Sequence, residues 1–292
     1  MGAAAALPTV GAEFARAVAR LAAAGVSEPR ADAEVLLAHA LGTNRAGVVA
    51  ASRDLLPAPE AATFEVLLAR RVAREPVQYI VGEREFWSLP LAVDPRVLIP
   101  RSETELLVET VLRVGGGRRR IVDVGTGSGA IALALARECP EAEVWATEVD
   151  PGALAVARAN LARHAPRVGL VCGDLLAPLR RVSIDVVASN PPYVAERDHA
   201  GLLPEVRDHE PARALLGGAD GLAVLRRLVA GAPEVLVPGG WLIAEMGAGQ
   251  ADAVRSAVVR DGRYEHVRTV EDHAGIERVL VARRGRERRE SR

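Results

Sequence analysis

The chain has 292 residues, 49% of them hydrophobic and 26% charged, with 37 basic against 38 acidic side chains and a net charge of −1. That balance excludes a disordered chain, a strongly basic nucleic-acid coat and an acidic tail protein, and it leaves room for about two domains at roughly 150 residues each. Every cation is an arginine, so no lysine is present to act as a base, a Schiff-base former or a phosphate-loop cation.

The opening MGAAAALPTV has neither a basic leader nor a long apolar core, and no apolar run approaches the ~18 residues of a membrane span. We therefore expect a cytoplasmic protein without a membrane partner. Residues 1–75 read as a small helical domain of three or four short helices. Phe14, Val18 and Leu21 recur at helical spacing before Gly25; Ala33 to Leu41 follows; Phe64, Leu67, Leu68 and Val72 share one side of a further helix. Residues 76–100 change character, gathering Tyr79, Phe86 and Trp87 in a chain with 3% aromatics. Alternation in EFWSLPLAVDP, with a turn expected near Ser88–Pro90, predicts a β-hairpin linker.

Residues 101–283 alternate strand and helix. A helix is predicted from Ser102, with Glu105 three residues on as a capping box. Strands are predicted at 121–124, 143–147, 169–172, 184–189, 241–246, 266–270 and 276–282, with helices at 129–137, 152–163, 222–236 and 251–259 between them. Near-continuous apolar strands alternating with helices predict an α/β fold, a doubly wound and mostly parallel sheet covered on both faces. The last two strands lack an intervening helix, so one of them should run antiparallel. Residues 284–292 form an arginine-rich tail, expected to be solvated and disordered.

Two loops carry chemistry. Gly125-Thr126-Gly127-Ser128-Gly129 follows a strand and opens a helix, the context in which a glycine loop lets a ligand approach the backbone. The run fits both a dinucleotide loop and the loop of S-adenosyl-L-methionine (AdoMet) enzymes, and the pattern alone does not choose. Glu148 ends the next strand, where a carboxylate can accept from ribose hydroxyls common to both cofactors; Asp150 competes but reads as the start of the next helix. Asp174 follows the third strand, where a carboxylate can meet the adenine side.

The fourth strand ends in Asn190-Pro191-Pro192-Tyr193. Asn190 offers a side-chain carbonyl, Pro191 keeps its main-chain carbonyl, and both prolines restrict the turn, so two oxygens can be aimed at one planar –NH₂ group. Tyr193 supplies a flat face. Arg101, Glu103 and Thr104 are left out of the candidate site, because the capping box already accounts for part of that block. Cys139, Cys172 and the six histidines show no metal-ligand spacing.

The G-T-G-S-G loop followed by S-N-P-P-Y resembles class I AdoMet-dependent N-methyltransferases. The blocks EPVQYIVGEREFWSLPLAVDPRVLIPRSETELLVE and EPARALLGGADGL, with the helical run ADAEVLLAHALG, are similar to the PrmC/HemK family of glutamine N5-methyltransferases. The resemblance covers almost the whole chain. It implies a seven-stranded sheet and AdoMet held by Gly125, Thr126, Gly127, Ser128 and Gly129, with Glu148 on the ribose. Asp174 and Leu175 would lie at the adenine, and Asn190 would touch both cofactor and substrate. Asn190, Pro191, Pro192 and Tyr193 would hold the glutamine of the Gly-Gly-Gln motif of class-1 peptide-chain release factors. Position 148 is Glu where the family usually has Asp, Leu175 stands where some members place Trp, and Ser102 where Pro is common. The helical domain would dock the release factor, with no direct nucleic-acid binding and a monomeric enzyme expected. The same loop chemistry serves adenine N6-methyltransferases and a family acting on a ribosomal-protein glutamine; an NAD-linked oxidoreductase or a catalytically silent binding module would leave N-P-P-Y unexplained.

Overall fold

The computed structural model describes residues 7–114, 117 and 120–286. The end of the arginine-rich tail, from Glu287 onward, lies outside the described residues. Contacts divide the chain into two compact units, 1–82 with 203–209, and 83–202 with 210–292.

The first unit is helical. It holds α1 (Val10–Ala23), α2 (Pro29–Ala40), α3 (Arg45–Ala50), α4 (Ala58–Val72) and α5 (Val77–Val81). Thr9 caps α1 by accepting from the Ala12 N–H, and Asn44 caps α3 by accepting from the Gly47 N–H. The helical spacing read from the sequence places Leu21, Leu36, Leu37, Phe64 and Leu68 in one core without solvent exposure. Arg71, nearly fully buried, bonds Asp32 at 2.7 Å and Glu205 at 2.7 Å, and Arg74 adds a second grip on Glu205 at 2.6 Å. Burial alone would raise the Glu205 pKa, but the two guanidinium groups outweigh it and hold the carboxyl at about 2.

The second unit begins with the hairpin β1 (Glu83–Phe86) and β2 (Leu89–Ala92). Its turn is Trp87–Ser88, both with positive φ, rather than the expected Ser88–Pro90; Pro90 lies inside β2, paired with Glu85. A two-residue turn of this kind matches the twist of its strands. The capping box expected at Ser102 does not form. Ser102–Thr104 is a 3₁₀ turn, α6 runs Glu105–Val114, and the Glu105 carboxylate accepts from the Trp87 N–H at 2.9 Å instead.

The remaining elements are β3 (Arg120–Val124), α7 (Ala130–Glu138), β4 (Glu143–Glu148), α8 (Pro151–His164), β5 (Gly169–Cys172) and β6 (Ile184–Ser189). After them come α9 (Pro204–His209, part of the helical unit), α10 (Ala212–Leu215), α11 (Ala223–Val235), β7 (Leu236–Glu245), α12 (Ala251–Asp261), β8 (Tyr264–Glu271) and β9 (Glu277–Arg284). The seven strands β3–β9 form one sheet in the order β5-β4-β3-β6-β7-β9-β8. All pairs are parallel except those of β9, which runs antiparallel between β7 and β8, as the missing helix before it implied. Strand β7 begins earlier than the sequence suggested, at Leu236, with a register shift opposite Ile184–Val186 that takes up Val237–Gly240.

Residues of β3 alternate between the two sheet faces. Ile121 packs in a core with Leu107, Leu133 and Leu161; Val122 and Val124 pack in a second core with Leu228, Val254 and Val258. Strand order reverses between β3 and β6, and a crevice opens at the carboxyl ends of strands at such a reversal. The glycine loop follows β3 and the Asn-Pro-Pro-Tyr loop follows β6, so topology alone brings the two motifs to one place.

Candidate active site

A cavity of about 490 Å³ lies at that crevice. Gly125, Thr126, Gly127, Ser128, Glu148, Asp174, Leu175, Asn190, Pro191 and Pro192 line it. Gly129 and Tyr193 are not among its lining residues.

The glycine loop is held from below. The Gly125 and Thr126 N–H groups both donate to the Thr147 carbonyl, at 2.9 and 3.0 Å. Gly125 and Gly127 have φ of +73° and +57°, and a Cβ on either would project into open space. Side chains there would be strained and would occupy the room a ligand needs. Gly129 does a different job: at φ +88° it starts α7, with Ala157 of α8 within 3.6 Å of where its Cβ would stand. Asn160 of α8, which sequence reasoning missed, braces the loop. Its buried amide donates to the carbonyls of Ser128 and Ala92 and accepts from the Ala92 N–H.

Glu148 is buried at the end of β4. Oε2 accepts from the Gly127 N–H at 3.0 Å, and Oε1 accepts from the N–H groups of Val149 and Asp150, both at 2.9 Å. Three backbone donors thus aim the carboxylate and stabilise its charge at the cavity wall. Asp150 also lines the cavity, with its Oδ1 capping α8 through the Ala153 N–H. Beneath the loop, Asp123 is fully buried and accepts from the Thr126 hydroxyl and the Ala132 N–H, while its Oδ1 has no partner. Burial outweighs these bonds and pushes its pKa up to about 7. Glycines open to a cavity and a fixed carboxylate acceptor beside it suit a nucleoside with free ribose hydroxyls. At the far end, Asp174 is half-exposed and paired with Arg227, and the Leu175 carbonyl accepts from Thr147.

The Asn-Pro-Pro-Tyr loop has its own support. The Asn190 Nδ2 donates to Thr104 Oγ1 at 3.1 Å, and Thr104 donates to Glu245 Oε2 at 2.7 Å. The Tyr193 hydroxyl turns to Glu245 Oε1 at 3.3 Å. Burial pushes the Glu245 carboxyl up to about 7 against these hydrogen bonds, and burial, followed by the Glu245 charge, pushes the Tyr193 phenol up to about 12. The turn carrying Gly217 and Gly221 packs against the loop so closely that a Cβ would stand 2.5 Å from the Pro192 carbonyl oxygen or 2.3 Å from that of Tyr193. Gln250 holds the same Tyr193 carbonyl at 2.9 Å. These contacts explain Gly217 and Gly221 of the block EPARALLGGADGL. Arg101 and Thr104, set aside in the sequence reading, both line the cavity. Arg101 pairs with the buried Glu210 at 2.5 Å.

Residues 14–82 match the PrmC N-terminal domain, and residues 102–205 the methyltransferase small domain. A release factor glutamine methyltransferase of Geobacter sulfurreducens is 45% identical over 265 residues, covering 91% of this chain and 93% of that one. The chain belongs to the release factor glutamine methyltransferase family. A family member from Moorella thermoacetica is 44% identical over 275 residues, covering 93% and 97%. Family membership makes the chain an AdoMet-dependent methyltransferase and bears out the resemblance read from its motifs. Among solved structures, a Pyrococcus furiosus methyltransferase aligns with a TM-score of 0.54 at 21% identity, over 77% of this chain and 98% of that one. The hMettl16 catalytic domain bound to an RNA hairpin aligns with a TM-score of 0.57 at 19% identity, over 80% and 84%. These two support the fold alone. Among the described residues, no helix is long and apolar enough to cross a membrane.

Proposed function

We propose that this chain methylates the side-chain amide nitrogen of the glutamine in the Gly-Gly-Gln motif of class-1 release factors. The observation that carries the reading is the orientation of Asn190. Its Nδ2 is engaged by Thr104, which leaves Oδ1 as the acceptor, on a loop that shares one cavity with the glycine loop and Glu148. Gly125, Thr126, Gly127 and Ser128 would hold AdoMet, with Glu148 accepting from the ribose hydroxyls and Asp174 and Leu175 at the adenine. Bound there, AdoMet supplies a methyl group activated by its sulfonium.

An amide nitrogen is a poor nucleophile because its lone pair is delocalised into the carbonyl. The chain's task is therefore orientation and electrostatics. Asn190 Oδ1 and the Pro191 carbonyl would accept the two N–H hydrogens, turning the lone pair towards the methyl group and stabilising the positive charge that grows on nitrogen. Pro192 completes the wall, and Tyr193 holds the loop through Glu245. Gly129 shapes the loop's exit into α7. No side chain is assigned as a general base: once the methyl group has passed from sulfur to nitrogen, the nitrogen gives up one of its two protons to solvent, which discharges it.

The substrate is read as a docked protein, met by a cytoplasmic monomer. With net charge −1 the chain has no overall excess of cations for a phosphate backbone. Single-turnover transfer to a purified release factor tests the reading. Asn190→Ala should lose on the order of 10²–10³ in rate, the scale of one preorganised polar contact, with AdoMet affinity much less affected. A wild-type rate in the variant removes Asn190 from the mechanism. Calorimetry showing no complex with release factor, with or without AdoMet, would count against the protein substrate.

A further inference from the structure

We propose that Thr104 and Glu245 are positioning residues for the transfer: they set which atom of Asn190 faces the substrate. The inference rests on the reading of Asn190 as an amide acceptor and adds the device that enforces it.

An asparagine amide is nearly symmetric in shape, and a half-turn about its last bond exchanges an acceptor for a donor. An active site that needs the oxygen must therefore penalise the reversed orientation. Here the penalty is built from three residues distant in sequence. Glu245 ends β7, is 2% exposed, and does not line the cavity. Above about pH 7, where it is a carboxylate, Glu245 only accepts, and it takes the Thr104 hydroxyl proton at 2.7 Å. Threonine has one hydroxyl proton. With that proton committed to Glu245, the Thr104 oxygen can only accept from Asn190, and it does so from Nδ2 at 3.1 Å. Reversing Asn190 would set two oxygens face to face in a part-buried site, with neither able to donate. The Tyr193 hydroxyl occupies the other Glu245 oxygen, so the carboxylate is held from two sides. The direction of hydrogen bonding thus runs one way, from Asn190 through Thr104 to Glu245. It sends Oδ1 away from Thr104, on a residue that lines the cavity. Thr104 sits in the 3₁₀ turn between Arg101 and α6, and Asn190 follows β6, so the relay also ties the turn after the hairpin to the substrate loop.

The test is a set of single-turnover rates at saturating AdoMet and release factor, taken at about pH 8.5 where Glu245 is ionised. Thr104→Val keeps the shape and removes the hydroxyl; we expect a rate loss of about 10–100-fold, the scale of a misoriented reacting group. The AdoMet dissociation constant should change by less than about threefold, because the altered contact is absent from the glycine loop and Glu148. Thr104→Ser restores the hydroxyl and should recover most of the rate. Glu245→Met removes the acceptor from outside the cavity and frees the Thr104 proton to bond a reversed Asn190. It should show the same rate loss without altering any residue that lines the cavity.

The deciding readout is the pair of double variants. In an Asn190→Ala background Thr104→Val should not slow the reaction further, and Glu245→Met should slow it no more than Tyr193→Phe does, because apart from its bond to the Tyr193 hydroxyl Glu245 acts through Asn190. A slow Asn190→Ala beside a wild-type rate in Thr104→Val or Glu245→Met overturns the relay and leaves the reading of Asn190 standing. Equal further losses in the Asn190→Ala background also overturn it, since Thr104 and Glu245 would then act independently. A wild-type rate in Asn190→Ala itself overturns the underlying reading. Should Thr104→Val fold poorly by thermal melting, Glu245→Met with its double variant decides alone.

Discussion

Replacing Glu148 by glutamine changes one oxygen to nitrogen at the best-anchored polar group of the cavity. The native carboxylate accepts from Gly127 on one oxygen and from Val149 and Asp150 on the other. A carboxamide has a single acceptor. If its oxygen takes the Val149 and Asp150 donors, its –NH₂ faces the Gly127 N–H; if it is reversed, two donors are stranded instead of one. The less damaging orientation still loses a charge-assisted bond, about 2 kcal/mol, and pushes Gly127 away. For a unit of roughly 200 residues that is about 4–8 °C in melting temperature. The ribose hydroxyls would meet a neutral group in place of a carboxylate, and we expect AdoMet to bind about 10–100-fold more weakly. Calorimetric titration with AdoMet, beside a thermal melt of the same sample, checks both numbers. Unchanged affinity in a variant that melts lower would remove Glu148 from the cofactor site. Unchanged melting would show that the three backbone bonds are not made.

Two further outcomes follow from the same contacts. Asp123 and Glu245 both have folded pKa values raised to about 7, so the folded chain keeps protons that the unfolded chain has lost. Their contribution is therefore fully present below about pH 4 and is lost as pH rises to about 7, at up to about 3–4 kcal/mol each. Glu205, held down at about 2, works in the opposite sense and loses its stabilisation as pH falls from about 4.5 towards 2. Denaturant midpoints should be higher at about pH 5.5 than at about pH 7.5, and Asp123→Asn or Glu245→Gln should flatten that decline; an unaltered profile in both variants contradicts the assignment. Gly221→Ala places a Cβ 2.3 Å from the Tyr193 carbonyl oxygen at a residue with φ +77°. Release-factor methylation should fall about 10²-fold or more from the displaced loop, with AdoMet binding retained; a wild-type rate would mean that the loop's position is not critical.

The sheet was legible because IVDV and IDVVAS are near-continuous apolar strands alternating with helices, the pattern of a sheet covered on both faces. The reversal between β3 and β6 then places the glycine loop beside Asn-Pro-Pro-Tyr without further information. What escaped the sequence reading is non-local. Thr104 meets Glu245 across 141 positions, and nothing near either residue announces the partner. Ser102 and Glu105 have the spacing of a capping box, yet Glu105 is taken by the Trp87 N–H of a hairpin whose turn holds an aromatic residue at positive φ. The Ser88–Pro90 expectation failed because proline was read as the turn, whereas Pro90 pairs inside β2. The segment 203–209 follows the Asn-Pro-Pro-Tyr loop in sequence but packs in the helical unit, held by Arg71 and Arg74 through Glu205. The glycines at 217 and 221 are explained only by what a side chain there would strike.

The most direct measurement is mass spectrometry of a release factor incubated with this enzyme and isotopically labelled AdoMet, digested to isolate the Gly-Gly-Gln peptide. One labelled methyl group on the glutamine side chain, absent with Asn190→Ala, is the predicted result. Label found only on other residues or on nucleic acid, or undiminished label with Asn190→Ala, would contradict the account.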